Sequence, residues 1–415
     1  MKERLSYHRL ILKRLFHNRI ATVSLAIIGI FCLTSLLGYL IMPDSTPDAN
    51  DGIIQLRKKL PGFKVTLIKI RKSIHSDTKS FFQKMVYGQE SDYVYIPVES
   101  YRIEGLFIYA KLFEESNIEK KLSLVGTVRH LYTGRLSQFR TGDTENYTVT
   151  GNEKIMYVDV NQKVQYTTRS QLVKEFENKY VERKKYLLGT DLAGRDLLSR
   201  IILGARISVS IGLVAVTISM VVGVFLGSLA GFLGGWVDKL VLWMISVFWS
   251  IPSTMLVIAI SLALQSRGVW VAFVAVGLTT WVDIARMVRG EILSIKEKPY
   301  IDAARVFGIS NRRIVVKHIL PNIMSSLVVV AASSFASAIL IEAGLSFLGL
   351  SVQPPTPSWG MMIHEGFRSI TGKDSWHLIL FPSLAVSLLV LCFNLLGSGL
   401  RDAYDPRTVL LRNTK

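Results

Sequence analysis

The sequence contains little cysteine: only two cysteines occur among its 415 residues. Cys32 and Cys392 both lie inside apolar runs, so they support neither a disulfide framework nor a cysteine-based metal site. The seven histidines show no metal-ligand spacing. The glycines form neither a G-x-x-x-x-G-K-[ST] phosphate loop nor a nucleophile-elbow pattern. We therefore expect this chain to bind no metal, ATP or other cofactor, and to catalyse nothing by itself.

Acidic residues are also scarce, with 31 Asp and Glu against 49 Lys and Arg and a net charge of +18. The basic residues cluster beside apolar runs, which is the pattern that membrane topology produces. They form no stripe interleaved with aromatic residues of the kind that binds bases. We expect these basic residues to lie beside a lipid bilayer and not to bind nucleic acid.

Long apolar runs are abundant, and half of the residues are hydrophobic. Their lengths predict six transmembrane helices, at about 21–42, 207–231, 239–265, 269–288, 323–348 and 378–400. The run 21–42 follows a basic segment, residues 1–20, is longer than a signal-peptide core and has no small-residue cleavage site. We expect it to be retained, and we expect a kink at Ile251-Pro252 in the third helix.

The charge bias and the number of spans predict the topology. Between Arg286 and His318 eight Lys and Arg oppose three Asp and Glu, which places the loop 289–322 in the cytoplasm. The count of spans then places both termini, including the tail 401–415, in the cytoplasm. We expect a multi-pass protein of the cytoplasmic (inner) membrane with the permease core in residues 207–400.

Residues 43–186 form a polar segment outside the membrane that is large enough to fold as a domain. Tyr, Val and Ile alternate in 92–113 and 154–168, which predicts strands. Leu172, Val173, Phe176 and Tyr180 have helical spacing, which predicts a helix over 170–188. We expect an α+β domain that begins with a helical or irregular stretch.

Residues 187–206 carry an apolar stripe of Leu197, Leu198, Ile201 and Ile202. This stripe predicts an amphipathic helix lying flat at the membrane interface.

The cytoplasmic loop has its own helical pattern. Pro299 suits the first turn of a helix, and Gly308 can adopt a left-handed cap. Ser310 can cap a second short helix, which we expect to end at Leu320-Pro321. One face of the first helix carries Tyr300, Ala303, Ala304 and Phe307. The pattern is equally consistent with a surface that docks into a partner protein and with an amphipathic helix on the inner leaflet.

Three segments resemble one family. Asp302-Ala303-Ala304, three residues, Gly308, nine residues and His318-Ile319-Leu320-Pro321 resemble the E-A-A-x3-G-x9-I-x-L-P loop of ABC importer permeases. Residues 187–206 resemble the L-G-T-D-x-x-G-R-D segment of the dipeptide, oligopeptide and nickel subfamily, and 342–363 resemble another of its segments. Asp302 replaces the usual Glu, and His318 replaces the usual Ile. The subfamily usually has a short loop where this chain has residues 43–186.

The resemblance implies an all-α polytopic permease of the type I ABC importer fold, here a C-type permease with an α+β domain inserted after its first helix. It implies a second homologous permease subunit, two ATPase subunits that bind the ATP, and an extracytoplasmic substrate-binding protein, and it favours peptides as the substrate. The residues expected to couple to the ATPase are Tyr300, Asp302, Ala303, Ala304, Phe307, Gly308, Leu320 and Pro321. The candidates for outer docking or gating are Gly189, Thr190, Asp191, Gly194, Arg195, Asp196, Pro354, Pro355 and Trp359.

Two features allow more than one interpretation. Glu342 is ionisable inside an apolar run, so it either lines the substrate path or meets water at the outer interface. Ser219, Gly223, Gly227 and Gly231 form a ridge that suits either packing within the chain or a subunit interface.

Two other functions remain open from the residues. One is a mechanotransmitting membrane protein with a large outer domain, which the inserted segment fits but six spans do not. The other is a secondary transporter, for which the sequence shows no internal repeat.

Overall fold

A computed structural model of the chain describes residues 11–72, 79–114, 118–132, 146–150, 154–266, 268–370 and 375–404. The chain divides into two compact units. One unit, here the membrane unit, comprises Met1–Ile41, Arg200–Thr371 and Leu378–Lys415. The other, here the polar unit, comprises Met42–Ser199 and Gly372–His377.

The membrane unit is built from long apolar helices and shorter ones. Its helices are α1 (Arg19–Ile41), α5 (Leu197–Leu233), α6 (Gly235–Ser250), α7 (Ser253–Ala263), α8 (Val269–Gly277), α9 (Trp281–Lys296), α10 (Pro299–Val306), α11 (Asn311–Ile314), α12 (Leu320–Phe347), α13 (Trp359–Arg368) and α14 (Trp376–Tyr404). Among the described residues, five helical segments are long and apolar enough to cross a membrane, and a bent pair could supply a sixth. The prediction of a membrane protein with about six spans is therefore confirmed.

The bent pair is α6 and α7, which meet at 95°. The break lies where a kink was predicted, because Ile251 adopts extended backbone angles and Pro252 follows it. A residue before proline is sterically pushed out of the helical region, so the helix stops instead of bending gently.

Two helices extend beyond the predicted spans. The segment that contains α8 and α9 continues to Lys296, and helical backbone runs from Asn311 to Phe347 without a break. The prediction that Leu320-Pro321 ends the second short helix is wrong. A π turn at Val315–Ile319, closed by the Leu320 N–H on the Val315 carbonyl, precedes the proline and lets the helix continue.

The small-residue ridge packs within the chain. A methyl group added at Gly223 would lie 2.7 Å from Ile284, and one at Gly227 would lie 2.5 Å from the Ala285 carbonyl oxygen. The Ser219 hydroxyl donates to the Gly277 carbonyl at 2.8 Å. The ridge therefore brings α5 against α8 and α9, which favours the first of its two interpretations.

The polar unit contains two antiparallel sheets. Its elements are β1 (Phe63–Arg71), α2 (Phe81–Tyr87), β2 (Tyr93–Glu104), β3 (Phe107–Leu112), β4 (Glu119–Ser123), α3 (Leu124–Val128), β5 (Tyr147–Thr150), β6 (Lys154–Val158), β7 (Val164–Thr168), α4 (Arg169–Glu175) and β8 (Val181–Tyr186). The five-stranded sheet has the order β4-β3-β2-β1-β8, and the three-stranded sheet has the order β5-β6-β7. This mixture of helices and strands agrees with the predicted α+β class.

The larger sheet is buried on both faces near its β1 end. One face of β1 contributes Ile68 to a core with α3 and α4 that includes Leu124 and Phe176. The other face contributes Val65 and Leu67 to a second core with Leu56 and Tyr186. Strand β1 thus lies inside the domain, whereas the sequence predicted a helical or irregular start for this segment.

The helix predicted over 170–188 is only partly present. The chain is helical from Arg169 to Glu175, turns through a π turn at Phe176–Tyr180 and becomes strand β8. Leu172, Phe176 and Tyr180 are buried as the helical spacing required. The last third of the segment 170–188 pairs with β1, so sheet formation overrides the local helix preference there.

The prediction of an amphipathic helix over 187–206 is wrong for the first half of this segment. Residues 187–196 form turns and an isolated bridge, and helix α5 begins at Leu197 and continues unbroken to Leu233. Positive backbone φ at Gly189 and Gly194 prevents helix in the first half.

Candidate functional site

The first candidate site is the knob, defined here as residues 297–319. Helix α10 begins with Pro299 at its first turn and ends at Val306, and Gly308 follows with the φ of +70° that was predicted for a left-handed cap. The Ile309 N–H donates to the Ala304 carbonyl at 3.1 Å and closes the turn. Ser310 then occupies the N-cap position of α11. Two short helical pieces joined by a glycine turn are therefore present as predicted.

One side of the knob is attached to the membrane unit. Ile301 and Ala304 are buried in a core with Phe232, Ile292 and Ile319. The prediction that Ala304 lies on the exposed face is wrong, because its side chain is 7% exposed and packs inside the chain.

The other side of the knob exposes apolar surface. Val306 is 86% exposed and Phe307 is 84% exposed, while Tyr300 is 47% exposed. Ala303 is exposed beside them. Large apolar side chains this open to solvent lower the free energy when another surface covers them.

Asp302 lies on the open side of α10 and makes a local contact. Its carboxylate lies 3.1 Å from the Arg305 guanidinium, and its side chain is 62% exposed. An exposed pair of this kind contributes little to stability, so the carboxylate is accessible to another cation. Leu320 and Pro321 lie in the continuous helix that joins the knob to the membrane unit.

The second candidate site is the clasp, defined here as residues 44–60 together with residues 187–199. The Thr190 hydroxyl donates to the Leu56 carbonyl and accepts from the Lys59 N–H at 2.8 Å. The Lys58 N–H donates to the Asp191 carbonyl at 3.0 Å, and the Ile53 N–H donates to the Gly194 carbonyl at 3.3 Å. Two segments more than a hundred residues apart are thus joined along their backbones.

Two glycines let the segments of the clasp approach. At Gly194 (φ +76°) a methyl group would lie 1.8 Å from the Ile53 carbonyl oxygen. At Gly189 (φ +84°) it would lie 2.2 Å from the Lys59 carbonyl oxygen. No other residue can combine this backbone conformation with this contact.

The charged residues between Asp191 and Asp196 are buried in the clasp. The Arg195 guanidinium donates to the Asp191 carboxylate at 2.6 Å and to the Asn50 side chain at 3.2 Å. The Asp196 carboxylate accepts from the Ser199 N–H at 2.8 Å. Burial raises the pKa of Asp196, although the Ser199 hydrogen bonds oppose the shift.

The outer docking residues predicted in 189–196 do not form a surface. Gly189, Thr190, Asp191, Gly194, Arg195 and Asp196 are all buried. They hold residues 44–60 in place, so the prediction that these side chains contact a partner is wrong. Local sequence patterns could not show this burial because the covering segment, 44–60, is distant in the chain.

The remaining docking candidates separate into two kinds. Pro354 and Pro355 are exposed. Trp359 is fully buried, its indole N–H donates to the Ile201 carbonyl at 3.0 Å, and its ring meets Phe31 edge-on at 5.5 Å. Trp359 therefore joins α1, α5 and α13, and only the prolines can take part in docking.

Glu342 lies at the junction of three helices. Its carboxylate accepts hydrogen bonds from Ser346 at 2.7 Å and Ser208 at 3.3 Å, and the Ser358 side chain also contacts it. It is fully buried, so the interpretation that it meets water is wrong for this conformation. Its part in the substrate path stays a prediction.

The clasp also bounds the inserted domain. The Gly62 N–H donates to the Tyr186 carbonyl at 2.8 Å, and Phe63 pairs with Tyr186 in the sheet. The segment 61–186 therefore begins and ends at adjacent points of the polar unit. The predicted domain 43–186 lies inside this unit, whose main part runs from Met42 to Ser199, and its location outside the membrane stays a prediction.

Two known families match separate parts of the chain. Residues 6–59 match the N-terminal transmembrane domain of oligopeptide transport permease C, and residues 223–410 match the binding-protein-dependent transport system inner membrane component. The first match ends one residue before Leu60, where the clasp segment ends. Neither match includes residues 60–222, in which the eight strands of the described residues lie.

Two relatives illustrate the similarity. The glutathione transport system permease protein GsiD of Pectobacterium atrosepticum is 42% identical over 53% of this chain and 72% of its own length. The oligopeptide transport system permease protein OppC of Haemophilus influenzae is 38% identical over 54% of this chain and 70% of its own length. The aligned residues form a larger share of each relative than of this chain, so both relatives are shorter than this chain.

Among solved structures, an inward-facing MetNI methionine ABC transporter chain matches 49% of this chain and 96% of its own length, at 20% identity and a TM-score of 0.42. The relatives are far more similar in sequence, and they decide the assignment. Two thirds or more of each relative is covered at well over 30% identity. The chain belongs to the binding-protein-dependent transport permeases and is a multi-pass inner-membrane, non-catalytic permease subunit of an ABC importer, whose ATPase and substrate-binding protein are separate subunits.

Proposed function

We propose that this chain forms half of the pore of a peptide importer and that ATPase subunits drive it through the knob. Relatives named for glutathione and oligopeptide transport support a peptide cargo. A second homologous permease would supply the other half of the pore. Two ATPase subunits and one substrate-binding protein would complete the assembly.

The observation that carries this proposal is the two-sided construction of the knob. Ile301 and Ala304 attach it to α9 and to the helix that continues into α12, while Val306 and Phe307 project from it. A force applied to the projecting side therefore reaches two membrane helices through packed contacts. Packed elements of this kind move as rigid bodies between discrete arrangements.

The proposed topology places the knob in the cytoplasm and both termini beside it. The excess of Lys and Arg between Arg286 and His318 supports this side. The clasp and the inserted domain would then lie outside, where the substrate-binding protein docks. Pro354 and Pro355 are exposed and available to that protein.

The first test is purification of the tagged chain from its native membranes, with identification of every co-eluting subunit. We expect a second permease chain and an ATPase in fixed stoichiometry. Phe307→Asp should release the ATPase, because a charge at the centre of an apolar contact is unpaired when buried. Tyr166→Asp on β7, also at an exposed aromatic side chain, is the matched control and should leave the assembly intact.

The two outcomes separate the possibilities. Retention of the ATPase by Phe307→Asp, as in the control, would show that the knob is not its binding surface. Elution of the unmodified chain alone would contradict the importer assembly itself.

For the inserted domain we propose a docking or lid role for the substrate-binding protein. Removing residues 61–186 and joining the adjacent ends of the clasp should leave insertion of the chain and ATPase binding unchanged. It should weaken docking of the binding protein, as measured by its affinity for the reconstituted importer. Unchanged affinity would count against this role.

A further inference from the structure

Helix α2, Phe81–Tyr87, presents aromatic side chains to solvent on the polar unit. Phe81 is 62% exposed, Phe82 is 71% exposed, and their rings meet edge-on with centroids 5.7 Å apart. Tyr87 at the end of the helix is 64% exposed. Three exposed aromatic residues in one seven-residue helix are unusual on a surface that meets only water.

The helix is firmly held in this position. Ser80 and Gln83 form a capping box at its N-terminus. The Gly88 N–H closes its C-terminus on the Lys84 carbonyl at 3.0 Å. The Lys79 ammonium donates to the Gly88 carbonyl at 3.0 Å, which ties the two ends together. The aromatic side chains are therefore exposed on a formed helix and not on an open strand of chain.

The attachment of α2 places it near the membrane. The Gln89 N–H donates to the Ser45 carbonyl at 2.9 Å. Ser45 follows the end of α1, at Ile41, by four residues, and four extended residues reach at most about 14 Å. Tyr87 lies two residues before Gln89. Chain connectivity alone thus keeps this end of α2 close to the point where α1 leaves the bilayer.

The composition of α2 matches a bilayer interface. Aromatic rings concentrate at the headgroup level, and lysines beside them reach lipid phosphates. Lys79 and Lys84 flank the aromatic residues here. A surface for another protein would not require an attachment at Ser45, only four residues after a membrane helix.

We propose that α2 is an interfacial anchor that inserts Phe81 and Phe82 into the bilayer and fixes the inserted domain to the membrane surface. Under the proposed topology this is the outer leaflet. The inference depends on α1 spanning the membrane and not on the cargo or on the ATPase contact. It can therefore fail while the proposed function stands.

The test is a depth measurement with a nitroxide at Phe82→Cys in the complete importer, reconstituted in phosphatidylethanolamine and phosphatidylglycerol vesicles. Oxygen partitions into lipid and a nickel chelate stays in water, so the ratio of their relaxation effects reports immersion. Tyr166→Cys, which is 64% exposed on β7, is the matched control. The unsubstituted chain, with Cys32 and Cys392, gives the background signal to subtract.

We expect the oxygen-to-nickel ratio to be several-fold higher at position 82 than at position 166, and a label at Phe81→Cys to agree. A ratio at position 82 equal to the control would place α2 in water and overturn the proposal. Exclusion of both reagents would also overturn it, because that result means that another protein subunit covers the helix.

Discussion

The membrane unit and the polar unit differ in where they place large apolar side chains. In the membrane unit, Leu36, Val221 and Leu391 are each more than half exposed. In the polar unit, Ile68, Leu124 and Leu172 are fully buried. The first pattern suits lipid as the solvent and the second suits water. The same chain therefore contains one unit whose surface suits lipid and one whose surface suits water.

The clasp brings the two ends of segment 61–186 together. Residues 44–60 and 187–199 are hydrogen-bonded to each other, and Leu56 of the clasp shares a core with Val65 and Tyr186 of the sheet. Insertion between two adjacent ends disturbs little of the surrounding structure. The inserted domain keeps its own core, centred on Ile68 and Phe176.

The largest expected effect breaks this junction. Gly194→Ala places a methyl group 1.8 Å from the Ile53 carbonyl oxygen at a φ of +76°. Overpacking and the left-handed conformation together should cost about 3 kcal/mol or more. We expect limited proteolysis to cut residues 44–60 in this variant and not in the unsubstituted chain.

Gly62→Ala measures the free-energy cost of the left-handed conformation without the cost of overpacking. Gly62 has a similar φ of +82°, but a methyl group there meets nothing within 4 Å. It should cost only about 1–2 kcal/mol and leave the clasp resistant to protease. Equal sensitivity of the two variants would show that close approach at Gly194 does not hold the clasp together.

A smaller effect is expected at Thr190. Thr190→Val keeps the shape of the side chain but removes the hydroxyl that joins the Leu56 carbonyl to the Lys59 N–H. Leaving these buried groups without that partner should cost about 1–3 kcal/mol. Thermal unfolding of the polar unit should show the loss, whereas Thr148→Val on β5 should show none.

The smallest effect concerns pH. Burial raises the pKa of Asp196 above that of an unfolded aspartate, so the folded state binds more protons than the unfolded state. The contribution of Asp196 to the stability of the polar unit should therefore be most favourable below the unfolded pKa of about 3.9 and should be lost as pH rises through the higher folded pKa. Asp51, whose pKa burial also raises, acts in the same direction.

Asp196→Asn tests the contribution of the first carboxylate. Its side-chain oxygen can still accept from the Ser199 N–H, but the group no longer titrates. Chemical unfolding measured at a series of pH values should show a shallower decline in the variant. An unchanged decline would mean that other groups cause it.

Sequence patterns predicted the membrane unit better than the polar unit, for a physical reason. A run of about twenty apolar residues determines a spanning helix without any partner segment. The knob was predicted for the same reason, because Pro299 and Gly308 determine its turns locally. Two of its details were wrong: Ala304 is buried through contacts that include Phe232 at the distant end of α5, and the second short helix continues past Leu320-Pro321.

In the polar unit the decisive contacts are between distant segments. Strand β1 contains Lys64 and Lys69 among its apolar residues. Its position inside the sheet is determined by its pairing with β2 and β8, which are distant in the sequence. The sequence pattern from Gly189 to Asp196 resembles a surface motif, but in the structure residues 44–60 cover and bury it. Local spacing cannot predict which segment will supply that cover.

The central claim is that the knob transmits ATP-driven force, and Gly308 tests it most directly. Gly308→Val forces a β-branched residue into a φ of +70°, although the space around the position is open. Gly290→Ala on α9 is the control, because its added methyl group also meets nothing within 4 Å and its φ is not left-handed. Both variants should assemble with the other subunits in the membrane.

The measurement is ATP hydrolysis and peptide uptake in the same proteoliposomes, supplied with the loaded binding protein. We predict that Gly308→Val continues to hydrolyse ATP while uptake falls to background, and that Gly290→Ala retains both activities. Normal uptake per ATP in Gly308→Val would contradict the account, because the turn would then have no part in coupling.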